Sequence, residues 1–87
     1  MPFFTARILS KDGVVIVDNM EVWITFFRHR NHEEWDGSFE IPITTPLTHR
    51  TYRIQLFDGR EGQITNITPI LRGDNMMVYF EGSGPLR

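Results

Sequence analysis

The sequence predicts an all-β domain, either a small antiparallel barrel or a two-sheet sandwich of six to seven short strands. Three observations support this. Short runs of Val, Ile, Thr, Phe and Tyr are bounded by turn residues, as is typical of strands. Apolar residues do not recur at intervals of three and four, so no amphipathic helix is predicted. In residues 52–57, YRIQLF, Tyr52, Ile54 and Leu56 share one face, which is the period-two pattern of a half-buried strand.

The first half of the chain divides into three predicted strands. Residues 3–9 form the first, and the turn SKDG (10–13) leads into a return strand over residues 14–18. Asp18-Asn19 predicts a second turn, which leads into a strand over residues 21–27. The two strands that flank SKDG therefore pair as a hairpin.

The segment RHRNHEEWDG (28–37) is predicted as a loop, with Asp36-Gly37 as a tight turn. A short strand over residues 38–41 follows it. The next segment, PITTPLTHR (42–50), contains two prolines and predicts an irregular crossing between strands.

The last part of the chain contains the clearest hairpin. A strand over residues 51–57 is followed by Asp58-Gly59, whose composition suits a two-residue turn. Its partner strand runs over residues 61–68, and a change of phase predicts a bulge near Asn66. Residues 69–75 cross back, residues 76–81 form the last strand, and a loose tail covers about residues 82–87.

Composition limits the class of protein. The 87 residues suffice for one domain, and the absence of cysteine excludes disulfides, cysteine–zinc sites and thiol catalysis. A net charge of −2 gives no long-range attraction to polyanions. The sequence has neither a signal-peptide pattern nor an apolar run of the ~20 residues that span a bilayer. We therefore expect a cytoplasmic protein with no membrane partner and no cofactor.

The strand over residues 21–27 is apolar on both faces. Val22, Ile24 and Phe26 share one face, whereas Trp23 and Phe27 lie on the other. A small sheet cannot bury both faces by itself. Either loops cover the outer side chains, or a second copy or another protein does so, and a homo-oligomer is one of these outcomes.

The polar segment 28–37 raises three chemical hypotheses. His29, His32 and Glu33 are acceptable metal ligands, and His49 would supply a third imidazole, but the spacing matches no established zinc pattern. No G-x-S-x-G nucleophile motif is present, so we expect a non-enzyme. Aromatic and basic residues would suit a single-stranded nucleic acid: Arg28, Arg30, Arg50, Arg53 and Arg60 with Phe27, Trp35 and Tyr52. Glu33, Glu34 and Asp36 would repel phosphate, and pairing of arginine with glutamate across the segment is favoured instead.

Trp35 admits two interpretations. As a core residue it covers one open end of the barrel, and its indole N–H reaches a backbone carbonyl. As a surface residue it anchors a ligand or a partner. Its position in a small domain without cysteine favours the core interpretation.

Three motifs resemble a group of small bacterial all-β proteins to which no function is attached. They are W-D-G-S-F (35–39), Y-R-I-Q-L-F-D-G-R-E-G-Q-I (52–64) and V-Y-F-E-G-S-G-P-L (78–86), in the C-terminal two thirds of the chain. The resemblance implies a compact β fold and a bacterial source, and it brings no site residues. Within these motifs, Gly59 suits a turn with positive φ, and Gly62 and Gly82 allow a backbone or an aromatic ring to approach closely.

We therefore expect a non-enzymatic binding or assembly module that acts through a sheet face or a loop rim. The binding residues predicted for it are Trp23, Phe27, Arg28, Arg30, Trp35 and Tyr52. The alternatives are a single-stranded nucleic-acid-binding barrel and a metal-binding protein that uses His29 and His32.

Overall fold

Six antiparallel strands close into a barrel in the computed structural model of the protein, which describes residues 3–87 and, for His29, the backbone alone. The strands are β1 (Phe3–Leu9), β2 (Val15–His29), β3 (His32–Pro42), β4 (Tyr52–Leu56), β5 (Glu61–Arg72) and β6 (Asn75–Ser83). Their order around the barrel is β1-β2-β3-β6-β5-β4, and β4 pairs with β1 to close it. The all-β prediction is confirmed, and the architecture is the barrel.

The two ends of the barrel carry different connections. One end, the crossing end, holds the β1–β2 turn, the crossing over residues 43–51 and the β5–β6 turn. The opposite end, the Trp35 end, holds the β2–β3 and β4–β5 turns and the C-terminal residues 84–87. The described residues contain no helix long and apolar enough to cross a membrane.

Side chains fill the interior, as expected for a barrel of this size. Along β4 the side chains alternate between buried and half-buried positions, which confirms the predicted period of two. The inward residues Val22 and Ile24 of β2 are fully buried, while Phe26 in the same phase is partly exposed at the Trp35 end. The largest fully buried side chains are Tyr52, Phe39, Ile8, Ile24, Ile41, Ile54, Ile64, Val22 and Val78.

The two Asp-Gly turns share one geometry. Gly13 N–H donates to Ser10 O at 3.0 Å, and Gly59 N–H donates to Leu56 O at 3.0 Å. Each glycine has a positive φ, 87° and 103° respectively. The prediction of a two-residue turn at Asp58-Gly59 is wrong, because the loops have three residues and end on a left-handed glycine.

The predicted turn at Asp18-Asn19 is a bulge inside β2. Ala6 pairs with Met20 and Ile8 pairs with Val17, so Asp18 and Asn19 together lie opposite Arg7. Asn19 has a φ of 51°, a conformation that asparagine tolerates in turns and bulges alike. The strand therefore continues where its sequence predicted an end.

The segment 28–37 is an extended hairpin and not the predicted loop. β2 and β3 pair without interruption to His29 opposite His32. Only Arg30 and Asn31 form the turn, with φ values of 50° and 69°. Two consecutive positive φ angles define the two-residue turn that matches the twist of paired strands. The charged residues lie on both faces of the exposed end of this hairpin, beyond the buried part of the barrel, and this produced the pattern of a loop.

Gly37 lies within β3 and does not form the predicted tight turn. It pairs with Ile24 on one side and Phe80 on the other. A Cβ at this position would lie 2.0 Å from the carbonyl oxygen of Trp23 and 2.7 Å from Cζ of Phe80. Glycine is required here because the neighbouring strand and ring approach too closely for a side chain.

The bulge predicted near Asn66 is confirmed. Asn66 has a φ of 52°, and the pairing of β5 with β6 shifts between Thr65 and Thr68. The predicted crossing over residues 69–75 is wrong, because β5 continues to Arg72 and a short turn at residues 73–74 leads into β6. Pro69 fits this strand because β4 pairs with β5 only as far as Ile64.

The tail is also bound, contrary to the prediction of a loose end. Arg87 N–H donates to Glu61 O at 3.1 Å, and Glu61 N–H donates to Arg87 O at 3.0 Å. Leu86 packs against the core cluster. The last residues therefore lie alongside the start of β5 and are hydrogen-bonded to it.

Candidate binding site on the outer face

A row of side chains crosses the outer face of four adjacent strands. Trp23 of β2 pairs with Ser38 of β3, and Ser38 pairs with Tyr79 of β6. Tyr79 in turn pairs with Thr68 of β5. Directly paired residues point to the same side of a sheet, so all four side chains face outward. Two large aromatic rings are thus separated by one small side chain.

Both aromatic side chains are accessible. Trp23 is 43% exposed and Tyr79 is 48% exposed. They border an open groove of about 980 Å³, called the outer groove below. Its polar and aromatic lining residues are Trp23, Thr25, Asp36, Ser38, Asn66, Thr68, Tyr79, Phe80 and Glu81. Exposed aromatic surface beside polar groups is the composition of protein interaction sites.

The indole of Trp23 is supported from one side and open on the other. The Phe3 ring packs against it with a centroid separation of 5.2 Å and an angle of 55°. Within the described residues, neither the Trp23 indole N–H nor the Tyr79 hydroxyl forms a hydrogen bond to another side chain or to the backbone. Both donors are therefore available to a ligand in the outer groove.

Two carboxylates lie directly opposite one another beside the aromatic row. Asp36 of β3 pairs with Glu81 of β6, between Thr25 and Thr65. The Asn66 side-chain amide, placed by the bulge, donates to Glu81. Among the described side chains, no Arg or Lys lies within 4.0 Å of either carboxylate. Like charges directly opposite one another in a sheet are destabilising, so this pair does not contribute to the stability of the barrel.

Trp23 and Phe27, predicted to bind, both lie on the outer face of β2 as expected. Phe27 is 42% exposed and pairs with Glu34, nearer the Trp35 end than the outer groove. Arg28 and Arg30 lie further along, at and beside the β2–β3 turn. Nη2 of Arg28 lies 3.9 Å from Oε1 of Glu33. This is the pairing of arginine with glutamate that the sequence favoured. The structure thus assembles only Trp23 of this set into the groove.

Trp35 and Tyr52 are buried, at 4% and 1% exposure, so neither ring is presented to a ligand. The indole N–H of Trp35 donates to Gly84 O at 2.9 Å, which confirms its interpretation as a lid on one end of the core. The hydroxyl of Tyr52 accepts a hydrogen bond from His49 N–H at 2.9 Å. Both residues therefore stabilise the barrel.

The arginines predicted for a nucleic-acid surface are dispersed. Arg53 forms a salt bridge with Glu61, and Arg60 forms one with Asp58, in which Nη2 of Arg60 lies 2.9 Å from Oδ2 of Asp58. The Arg60 guanidinium also lies 5.0 Å from the Phe4 ring centroid, a cation–π contact. None of the described residues that line the outer groove is basic. These salt bridges stabilise the region around the β4–β5 turn. The outer groove, whose charged lining residues are Asp36 and Glu81, is acidic.

Two carboxylates near that turn have perturbed acidities. The side chain and the backbone N–H of Arg60 lower the pKa of Asp58 by donating hydrogen bonds to it. Hydrogen bonds from Gln55 and then from Arg53 lower the pKa of Glu61. Both carboxylates accept hydrogen bonds from side chains of the barrel itself, and neither is among the described residues that line the outer groove.

The residues proposed for a metal site are only partly described. The side chain of His29 lies outside the described residues, and His32 pairs with it across the turn. His49 packs against Tyr52 at the crossing end, with ring centroids 5.8 Å apart, and so cannot join them. Among the described side chains, no group of three or more His, Asp or Glu is arranged to hold a metal ion.

Sequence reasoning missed Ser38, Tyr79, Asp36 and Glu81 as members of a site. One signal for Tyr79 is present in the sequence, since the segment MMVYF (76–80) is apolar at consecutive positions and therefore on both faces of the last strand. The missing information was the register, because Trp23 and Tyr79 meet only through β3, which lies between them. No pattern within either strand specifies that pairing.

No protein-family model matches the chain, and the comparisons with curated proteins and with solved structures likewise find no match. The function must therefore be argued from the outer groove itself.

Proposed function

We propose that this protein is a non-enzymatic binding module, and that its outer groove docks a segment of another protein. The observation that carries the proposal is the exposed Trp23–Ser38–Tyr79 row. Binding energy at protein interfaces concentrates on a few residues, and tryptophan and tyrosine are the commonest of them. A single exposed apolar side chain is ordinary, whereas two large rings in one row across adjacent strands form a contiguous surface of the kind found at interaction sites.

The surroundings of the row support a protein ligand. Phe3 braces Trp23 from one side, so the ring loses little freedom when it is bound. Thr25, Ser38 and Thr68 supply small polar groups next to the aromatic surface. A binding site on strands is held more rigidly than one on loops, since each side chain is fixed by two paired neighbours.

Selection from a random-peptide display library tests the proposal. Peptides retained by the wild-type protein are titrated against Trp23→Ala, Tyr79→Ala and the control Phe57→Ala. Phe57 is an equally exposed ring at the β4–β5 turn, 53% exposed and outside the outer groove. We expect affinity to fall by at least about tenfold for both groove variants and to remain unchanged for the control.

Peptides that bind all three variants equally, or a library that yields no binder, would contradict the proposal. Light scattering on the free protein tests whether a second copy of the chain, and not another protein, occupies the outer groove. A dimer that dissociates on Trp23→Ala would assign the face to a second copy of the chain, in place of a different protein.

A further inference from the structure

We propose that the segment bound in the outer groove is an extended, proline-containing peptide with a basic side chain. The inference rests on the proposed function and names the chemical class of its partner. Three features of the groove carry it, namely the spacing of the strands that hold its two rings, its free hydrogen-bond donors and its uncompensated negative charge.

The spacing of the strands that carry the two rings matches the repeat of a polyproline II helix. Trp23 and Tyr79 lie on β2 and β6, with β3 between them, so their backbones are two strand spacings apart. Two spacings amount to about 9.5 Å. A polyproline II helix repeats every three residues, over about 9.3 Å. Such a peptide, lying across the strands, presents the same face to both rings, and Ser38 leaves room for the ridge between them.

The donors suit the same ligand. A polyproline II segment forms no internal hydrogen bonds, so its carbonyl oxygens remain free to accept. The Trp23 indole N–H and the Tyr79 hydroxyl have no partner among the described residues. Proline lacks an N–H, so a proline-containing segment does not leave an unpaired donor against the aromatic surface. Recognition of preformed polyproline II by aromatic-lined grooves follows this logic.

The charge specifies a basic partner. Asp36 and Glu81 lie opposite one another on the groove wall, and no described Arg or Lys lies within 4.0 Å of them. An arginine from the ligand would satisfy both carboxylates, because its planar guanidinium carries several donors. The same two charges oppose the phosphates of a single-stranded nucleic acid.

Addition of a strand to the barrel is the less suitable mode. The free edge of β5 beyond Ile64 contains the bulge at Asn66 and also Pro69, which has no N–H to donate. Bulges and prolines are devices that prevent pairing at an edge. The peptide therefore binds to the outward side chains of the groove and does not pair with the backbone of an edge strand.

Three synthetic peptides test the inference by calorimetric titration. The first is proline-rich and contains arginine, the second replaces each arginine with glutamate, and the third keeps the arginines in a flexible glycine–serine chain. We expect the first to bind, the second to bind about fivefold more weakly and the third about tenfold more weakly. The double variant Asp36→Asn/Glu81→Gln abolishes the discrimination between the first two, whereas the control Glu33→Gln retains it.

The outcomes separate this inference from the proposed function. If the glycine–serine peptide binds as tightly as the proline-rich peptide, recognition depends on charge alone and the inference is overturned. The inference also fails, while the proposed function stands, if library-selected peptides need Trp23 but the proline-rich peptide does not bind. If no peptide of any composition depends on Trp23, both fail together.

Discussion

The indole of Trp35 lies flat against the backbone of Gly82: a Cβ on that glycine would stand 2.1 Å from Cε2 of the ring. Gly62 faces the same ring, and a Cβ there would lie 2.8 Å from Cζ2. The glycines of β5 and β6 thus form a recess for the lid at the Trp35 end. Their predicted role, to let an aromatic ring approach closely, is confirmed.

Gly82→Ala should therefore destabilise the barrel. The added methyl group overlaps a rigid ring held by its hydrogen bond to Gly84 O, so the lid must shift. We expect a loss of about 3 kcal/mol in the free energy of unfolding, measured by urea denaturation. Ser83→Ala, at the next and exposed position, is the control and should change little. Equal stabilities for the two variants would show that the ring does not depend on the recess.

Gly59→Val tests the geometry of the β4–β5 turn. Gly59 has a φ of 103°, which disfavours a β-branched residue, although no atom of the described residues lies within 4 Å of a Cβ there. The cost is therefore one of backbone strain, about 1 kcal/mol or more. Gly59→Asn should cost less, because asparagine tolerates positive φ better. Chemical denaturation that ranks the two variants equally would contradict this turn geometry.

Asp36→Asn should stabilise the protein while it weakens binding. Removal of one of two directly opposed carboxylates relieves their repulsion, which is worth about 0.5 kcal/mol. Glu21→Gln is the matched control, since Glu21 is exposed on the outer face of β2 but pairs with Thr5. Thermal unfolding should show a higher midpoint for the Asp36 variant alone. A midpoint below that of the wild type would contradict this prediction, because it would mean that Asp36 stabilises the free protein.

The lowered pKa of Glu61 predicts an acid-dependent loss of stability. A carboxyl group whose pKa is lower in the folded state contributes its stability above its unfolded pKa and loses it as pH falls through the folded value. Hydrogen bonds from Gln55 and Arg53 cause this lowering. Glu61→Gln should therefore be less stable than wild type near pH 7, and the difference should disappear at a pH below the folded pKa of Glu61, which is lower than the ordinary value of about 4.3. Urea midpoints at the two pH values measure it, and an unchanged difference would contradict the assignment.

Local chemistry predicted the elements that depend on few neighbours. The alternation of Tyr52, Ile54 and Leu56 specified β4, and the change of phase after Ile64 located the bulge at Asn66. The apolar faces of residues 21–27 also indicated which side chains of β2 point outward. Each of these signals is complete within one strand, so no partner was needed to interpret it.

Patterns that depend on pairing were misjudged. Asn19 suits a turn and a bulge equally well, and only the register with β1 distinguishes them. The charged residues before Trp35 indicated a loop, yet they occupy strand positions because the two-residue turn at Arg30 and Asn31 holds the strands in line. The outer groove was missed for the same reason: its rings come from β2 and β6 and meet only in the closed barrel.

Backbone and indole NMR shifts, recorded while the arginine-containing proline-rich peptide is added, show directly whether the peptide binds in the outer groove. We expect the largest changes on the Trp23 indole N–H and on the amides of Ser38 and Tyr79, across three strands of the outer face. The Trp35 indole, bonded to Gly84 O inside the barrel, should move little. Changes confined to Arg28 and Arg30 at the β2–β3 turn, or to His49 at the crossing end, would contradict it.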